Sequence, residues 1–168
     1  DWRGSFATFE PEPLGTASIA QVHGATLVDG RAVVVKVQRP GLQAVVAADL
    51  QILRFLARRA VQEWPDLHAA DPDGLLRELE RTLTAELDFT REAENLRRFG
   101  ASFAGRPDLV FPVPVDALVT ERVLVMTRLD GVPIREARAR GHDMSRVGRA
   151  YLDTVFEMIL SHGFFHGD

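Results

Sequence analysis

Leu14-Gly15-Thr16-Ala17-Ser18-Ile19-Ala20-Gln21-Val22, and the run Val33-Val34-Val35-Lys36 that follows it, decide how this chain is read. The first stretch has the form of a phosphate-covering loop between two strands. The second is a β-branched strand that ends on one lysine. Set beside the phosphate-loop pattern G-x-G-x-x-G-x-V, Gly15 keeps the first glycine and Val22 the valine. Ala17 and Ala20 stand where the second and third glycines would be. Glycine lets backbone N–H groups come close to phosphate oxygens because no Cβ intervenes. Alanine adds a methyl group and narrows the allowed backbone angles, so this loop is expected to be stiffer and to fit its ligand differently.

Around this stretch the composition is that of a folded domain. The 168 residues are 46% hydrophobic, with ordinary glycine and proline content, which suits one core and argues against bulk disorder. A net charge of -4 argues against nucleic acid as a main partner, since phosphate backbones call for a basic surface. With no cysteine there is no disulfide, thiolate metal site or cysteine nucleophile. No apolar run approaches the roughly 20 residues that span a bilayer. Asp1-Trp2-Arg3-Gly4 is not a signal peptide, and both ends read as cut, so a piece of a longer protein is expected.

Phe6 to Glu10 reads as a first strand that Pro11 and Pro13 break. Ile19 to Val28 and Arg31 to Gln38 read as a hairpin turned at Asp29-Gly30 and ended by Arg39-Pro40-Gly41. Val46, Leu50, Leu53, Ala57 and Ala60 give a helical period over Leu42 to Glu63, stopped by Trp64-Pro65. Asp71-Pro72-Asp73 starts a helical pattern that runs to about Phe99. Val110 to Ala117 and Arg122 to Arg128 read as two more strands, Leu129-Asp130-Gly131 as a turn, Pro133 to Arg140 as a short helix and Met144 to His162 as a long one. Strands first, then helices, is an α+β plan: a small antiparallel sheet with helices packed on it.

Lys36 is the first candidate for chemistry. A lysine deep in a strand needs an anionic partner, because an unpaired buried ammonium is costly. Alone it reads sooner as an edge lysine pointing to water, since lysine is seldom fully buried; the loop before it reverses the reading. Glu92 is the natural partner. On one continuous helix it shares a face with Ala85, Phe89, Leu96 and Phe99. Glu94 falls on the polar side. Asp88 lies one turn before Glu92, whereas Glu86 is rotated away and reads equally as part of a solvated face. Asp168, in a glycine turn after an apolar helix, is placed to accept a proton or orient a hydroxyl, or is a plain turn residue. His162 and His166 stand four apart, but Gly163 between them ends the helix and no third ligand is near, so a metal pair is discounted. His23, His68 and His142 read as structural or exposed.

The chain resembles the UbiB/AarF/ADCK family of atypical, protein-kinase-like proteins. The text that carries the resemblance is Ala17-Ser18-Ile19-Ala20-Gln21-Val22-His23, Val35-Lys36-Val37-Gln38-Arg39-Pro40-Gly41, Glu86-Leu87-Asp88-Phe89, Glu92-Ala93-Glu94-Asn95 and Phe165-His166-Gly167-Asp168. These lie in order over nearly the whole chain. His-Gly-Asp alone would be weak, since aminoglycoside-kinase-type phosphotransferases carry a similar element.

The resemblance implies a kinase-like α+β fold. Residues 1–128 would be an N-lobe with a five-stranded antiparallel sheet and inserted helices, and residues 129–168 the hinge and first C-lobe helices. It implies that Lys36 is the ATP-phosphate lysine, Glu92 its ion-pair partner and Asp168 the catalytic-loop aspartate. Glu86 and Asp88 would be the family's Glu-x-Asp motif. The ATP site would draw on Gly15, Thr16, Ala17, Ser18, Ala20, Val22 and Val34, with Met126 as gatekeeper and Thr127 to Leu129 as the hinge that hydrogen-bonds adenine.

The family's upstream Lys-x-Gly-Gln segment is missing, as are the downstream asparagine and Asp-Phe-Gly-type aspartate. Ligands for Mg²⁺ are therefore expected beyond residue 168, with none inside this stretch. The function implied is that of an ATPase or phosphotransferase, associated with isoprenoid quinone biosynthesis and membrane lipid. Its place would be the cytoplasm, peripheral to the inner membrane through other segments. The alternatives are a non-catalytic lipid-binding or scaffold pseudokinase and a small-molecule phosphotransferase. The long gap from Lys36 to Glu92 and Gln38-Arg39-Pro40-Gly41 argue against the last.

Overall fold

A computed structural model describes residues 2–164 and divides after Arg128 into two compact units. The first is built on a four-stranded antiparallel sheet in chain order: β1 (Phe6–Thr16), β2 (Ala20–Leu27), β3 (Ala32–Gln38) and β4 (Val123–Thr127). The β2–β3 hairpin turns at Asp29-Gly30, where Gly30 takes φ 88° and Leu27 N–H bonds the Arg31 carbonyl at 2.9 Å. A positive φ of this kind suits glycine because no Cβ meets the neighbouring carbonyl. Hydrogen bonds from Arg31 hold the Asp29 carboxyl below its ordinary pKa.

Two sequence expectations about strands fail here, both through proline. Pro11 and Pro13 do not break β1, which continues to Thr16. β1 lies at the edge of the sheet, and its pairing with β2 shifts register between Phe9 and Pro13 and again before Gly15. An edge strand with bulges can carry residues that lack an N–H, because the missing donor need not face a partner. The fifth strand, expected over Val110 to Ala117, is reduced to one isolated bridge, Pro114 to Met126. Thr127 N–H bonds Val113 O at 3.0 Å and Val115 N–H bonds Val125 O at 2.8 Å on either side of it. With Pro112 before and a 3-10 turn at Asp116–Leu118 after, the ladder cannot lengthen.

Side-chain alternation along β3 gives the sheet two different faces. Val33 and Val35 join Ala25, Leu27 and Val125 in one cluster, covered by Phe6, Val115 and Leu118. On the other face Ala20 and Leu124 pack with Phe89 and Ala93. Those last two residues come from the helix Phe89–Ser102, which therefore lies on the face that also carries Lys36.

Three helices separate β3 from β4: α1 (Leu42–Glu63), α2 (Pro72–Glu86) and α3 (Phe89–Ser102). α1 has the bounds its punctuation gives. The single helix expected from Asp73 to Phe99 is instead two, broken at Leu87-Asp88. Asp88 has extended backbone, and its carboxylate accepts hydrogen bonds from Thr90 N–H at 3.0 Å and Thr90 Oγ1 at 2.6 Å. That side chain satisfies the free donors of a new helix start, which is why the chain restarts here. Ala85 is therefore not on Glu92's helix. An Arg54–Glu80 ion pair links α1 to α2.

In the second unit, Leu129 to Pro133 have no regular structure, α4 is a single turn (Ile134–Ala137) and α5 (Met144–Glu157) starts at an Asp143 cap. The long helix expected to reach His162 changes at Met158 into a π-helical turn ending at Gly163. Tyr151, Leu152, Phe156 and Leu160 are exposed along it. No helix among the described residues is long and apolar enough to cross a membrane.

Leu124 is fully buried between Lys36's strand and α3, whereas Val28 is exposed at the hairpin. Leu124→Ala is expected to cost ~2–5 kcal/mol, and Val28→Ala within ~0.5 kcal/mol. Denaturant midpoints at unchanged m-value will measure both.

Candidate functional site

Lys36 sits in the middle of β3, opposite Val22 on β2 and Leu124 on β4. Its Nζ donates to both carboxylate oxygens of Glu92, at 2.7 and 2.9 Å. The same ammonium lies 4.9 Å from the centroid of the Phe89 ring, an added cation–π attraction. The pair expected from the apolar stripe is formed, although on a shorter helix than the sequence suggested. Its side chains are 21% and 37% exposed, so the pair is partly shielded and partly in contact with solvent. Lys36 is also the sole lysine among the 20 lysine and arginine residues of the chain. An ammonium is a compact point charge, unlike the planar fork of arginine, and suits a partner that approaches from changing directions.

The loop residues come next to this pair. Gly15 and Thr16 end β1, exposed, with Gly15 opposite Val22. Ala17 N–H bonds Ala20 O at 2.8 Å and closes the turn through Ser18 and Ile19. Ala20 is fully buried and packs with Phe89 and Ala93, so its methyl group belongs to the core under the loop. Arg39, just past β3, holds the loop from outside. Its N–H bonds Ile19 O at 2.9 Å and its Nε bonds Ala17 O at 3.1 Å. The carbonyls of Ala17 and Ile19 are thus tied back, while Ala17 and Ser18 stay exposed.

Val22 and Val34 are half-buried on the Lys36 face, with Met126 opposite Val34 on β4. Together they make an apolar floor beside the ammonium. Thr127 donates its N–H to Val113 O, and Arg128 donates to Ala32 O at 3.1 Å, so both amides are committed within the sheet. Leu129 is exposed and belongs to the second unit. Glu86 is the exposed last residue of α2, and Asp88 is occupied as a helix cap. Asp168 lies outside the described residues, as do Phe165, His166 and Gly167. No cluster of three or more His, Asp or Glu placed to hold a metal occurs among the described residues.

One further side chain stands in a matched motif but receives no role from sequence reasoning. Gln38 is 7% exposed and its Nε2 donates to Leu87 O at 2.8 Å, at the break between α2 and α3. The signal that could have found it is its position two residues after Lys36, on the same face of the strand.

The family model described as the ABC1 atypical kinase-like domain matches residues 1–168. The chain is 39% identical over 170 residues to a probable protein kinase UbiB of Azotobacter vinelandii, covering 98% of this chain and 31% of that protein. It is 35% identical to an uncharacterized protein in the hydrogenase 1 5′ region of Clostridium pasteurianum, again covering 98% and 31%. The chain thus spans about a third of the length of these relatives. Among solved structures, it is similar to a Mycobacterium tuberculosis chain solved as the Rv3197–erythromycin complex. That match has TM-score 0.79 and 31% identity, covering 95% of this chain and 40% of the other.

If Asp88 acts through its cap, Asp88→Ala is expected to destabilise the fold by ~1 kcal/mol and Asp88→Asn by only a few tenths, given the ranking of capping residues. Urea unfolding of both variants will measure the difference.

Proposed function

The chain belongs to the ABC1 atypical kinase-like family, and on that footing we propose that the Lys36 face of the sheet binds the phosphates of ATP for hydrolysis or phosphoryl transfer by the intact protein. The observation that carries this reading is the Lys36–Glu92 pair at 2.7 Å, on the sheet face that also has the apolar floor, with Gly15 to Ser18 exposed in the loop before it. A phosphate chain needs a mobile positive charge and free N–H groups; a purine needs apolar surface on the same side. Lys36 would neutralise phosphate oxygens, Glu92 would hold the ammonium in place, and Val22, Val34 and Met126 would pack on the base. Thr127 would offer its carbonyl, since its N–H is taken.

Bound ATP supplies the phosphoryl group; this chain's part is to bind and orient it. Asp168 is proposed as the residue that orients the acceptor. Residues outside 2–164 would supply the ligands of the accompanying Mg²⁺. The link to isoprenoid quinone synthesis and to membrane lipid, and a cytoplasmic site peripheral to the inner membrane, are proposed on family grounds.

One observation favours a second, non-catalytic reading. On the opposite face lies a largely apolar cavity of about 680 Å³, lined by Phe6, Phe9, His23, Val35, Val37 and Leu118. It falls in the size range of small-molecule sites. Erythromycin is the first compound to try there, because the similar chain was solved with it.

Nucleotide titration of the intact protein decides between the readings. Lys36→Ala is expected to weaken ATP binding at least ~10-fold and to remove phosphate release, and Lys36→Arg is expected not to restore them. Binding that survives Lys36→Ala unchanged counts against the ATP reading.

The loop generates its own prediction. Ala17→Gly gives the backbone more freedom beside the phosphates, and it is expected to change the ratio of ATP to ADP affinity several-fold. Equal affinities in both proteins would show that the alanines do not tune the site.

A further inference from the structure

We propose that Gln38 is a positioning residue that sets the Lys36–Glu92 pair, acting through the chain break between α2 and α3. Its consequence for turnover rests on the nucleotide reading above; its effect on the pair does not.

Lys36 and Gln38 point from the same face of β3, roughly 6.6 Å apart along the strand. Each reaches the same short piece of chain. Gln38 grips the Leu87 carbonyl, and Lys36 grips Glu92. Leu87 is five residues before Glu92, little more than one turn, and Asp88 between them caps the helix. The packing of Phe89 and Ala93 seats α3 on the sheet; two polar ties from one strand then fix the height and rotation at which its first turn presents Glu92. Removing the Gln38 contact leaves Glu92 as the only one of these two pins.

The Leu87 carbonyl also needs this partner. It lies just past the last residue of α2, where carbonyls lack a helical donor. Gln38 is itself nearly buried, and a buried carboxamide without a partner is costly. Other ties also hold α3: Phe89 N–H bonds Glu121 O at 3.0 Å where it begins, and Arg97 pairs with Asp116 farther along, but neither comes from β3 or reaches the Leu87 carbonyl. Arg39 is the built-in comparison. It is adjacent in sequence, yet its bonds go only to the loop carbonyls of Ala17 and Ile19.

The test reads the pair directly in the intact, nucleotide-free protein. Acetic anhydride at limiting dose labels amines, and the extent at Lys36 is read from the mass of its peptide. Glu92→Gln, which removes the partner charge, defines full release and is expected to raise labelling at least ~5-fold. Gln38→Met keeps the length of the side chain but loses the donor, and should reach at least half of that rise. Gln38→Asn, one methylene short, should fall between native and Gln38→Met. Arg39→Ala should stay within twofold of native.

With ATP, Gln38→Met is expected to lower kcat about tenfold with KM within threefold, because the ammonium is present but misdirected. Circular dichroism shows which variants fold; should Gln38→Met not fold, Gln38→Asn carries the same comparison. Labelling of a folded Gln38 variant at the native level overturns the proposal, as does an equal rise in Arg39→Ala. A protein that shows the labelling pattern but binds no nucleotide leaves the positioning role standing and defeats the ATP reading instead.

Discussion

A single ammonium on the half-buried face of a sheet is the constraint on which the rest of the first unit depends. Exposed ion pairs are worth ~0–1 kcal/mol, while breaking a fully buried pair costs ~3–5 kcal/mol. Lys36 and Glu92, at 21% and 37% exposure, fall between these limits. The charge must be met, so a carboxylate has to arrive on that face at the right height. The α2–α3 break, the Asp88 cap and the packing of Phe89 and Ala93 are what deliver it. Partial exposure matters as much as the contact, because a pair sealed from water could not turn to a ligand.

The arrangement divides the labour between the two faces of the sheet. One is apolar and covered by the irregular segment from Val113 to Leu118. The other mixes a packed helix with an open, charged patch. The loop from Gly15 to Ala20 joins the two requirements: Ala20 is core and Ala17 is surface, three residues apart. Alanine at the buried position is understandable as packing. At the exposed one it acts through the backbone, and there Arg39 adds a further restraint.

What can be read from the sequence is what local chemistry decides. α1 begins after Pro40-Gly41 and ends at Trp64-Pro65 because a proline cannot continue a helix from the residue before it and Gly41 takes a positive φ at the start, and the hairpin turns at Asp29-Gly30 for a similarly local reason. The family and the kinase-like fold follow from ordered motifs. What cannot be read depends on position in the whole. Pro11 is a breaker inside a sheet and harmless at an edge, and nothing local says which applies. Ala85 and Phe89 are four apart, so helical spacing carries across Leu87, and Asp88 reads as one more carboxylate on that helix when its first task is a hydrogen bond to Thr90. Gln38 shares the face of Lys36 two residues on, but only its burial and its bond to Leu87 O give it a task.

Proline also limits how far the sheet can extend. On one side β1 presents Pro11 and Pro13 with Glu10 and Glu12 before and between them; on the other, Pro112 and Pro114 stand at and beside the single bridge to β4. A free sheet edge is a template on which another chain can add a strand, and natural edges are commonly blunted by proline, charge and bulges. Here both margins lack the unbroken row of N–H donors that such addition needs. The sheet ends at four strands and offers a neighbouring molecule little on which to add a fifth.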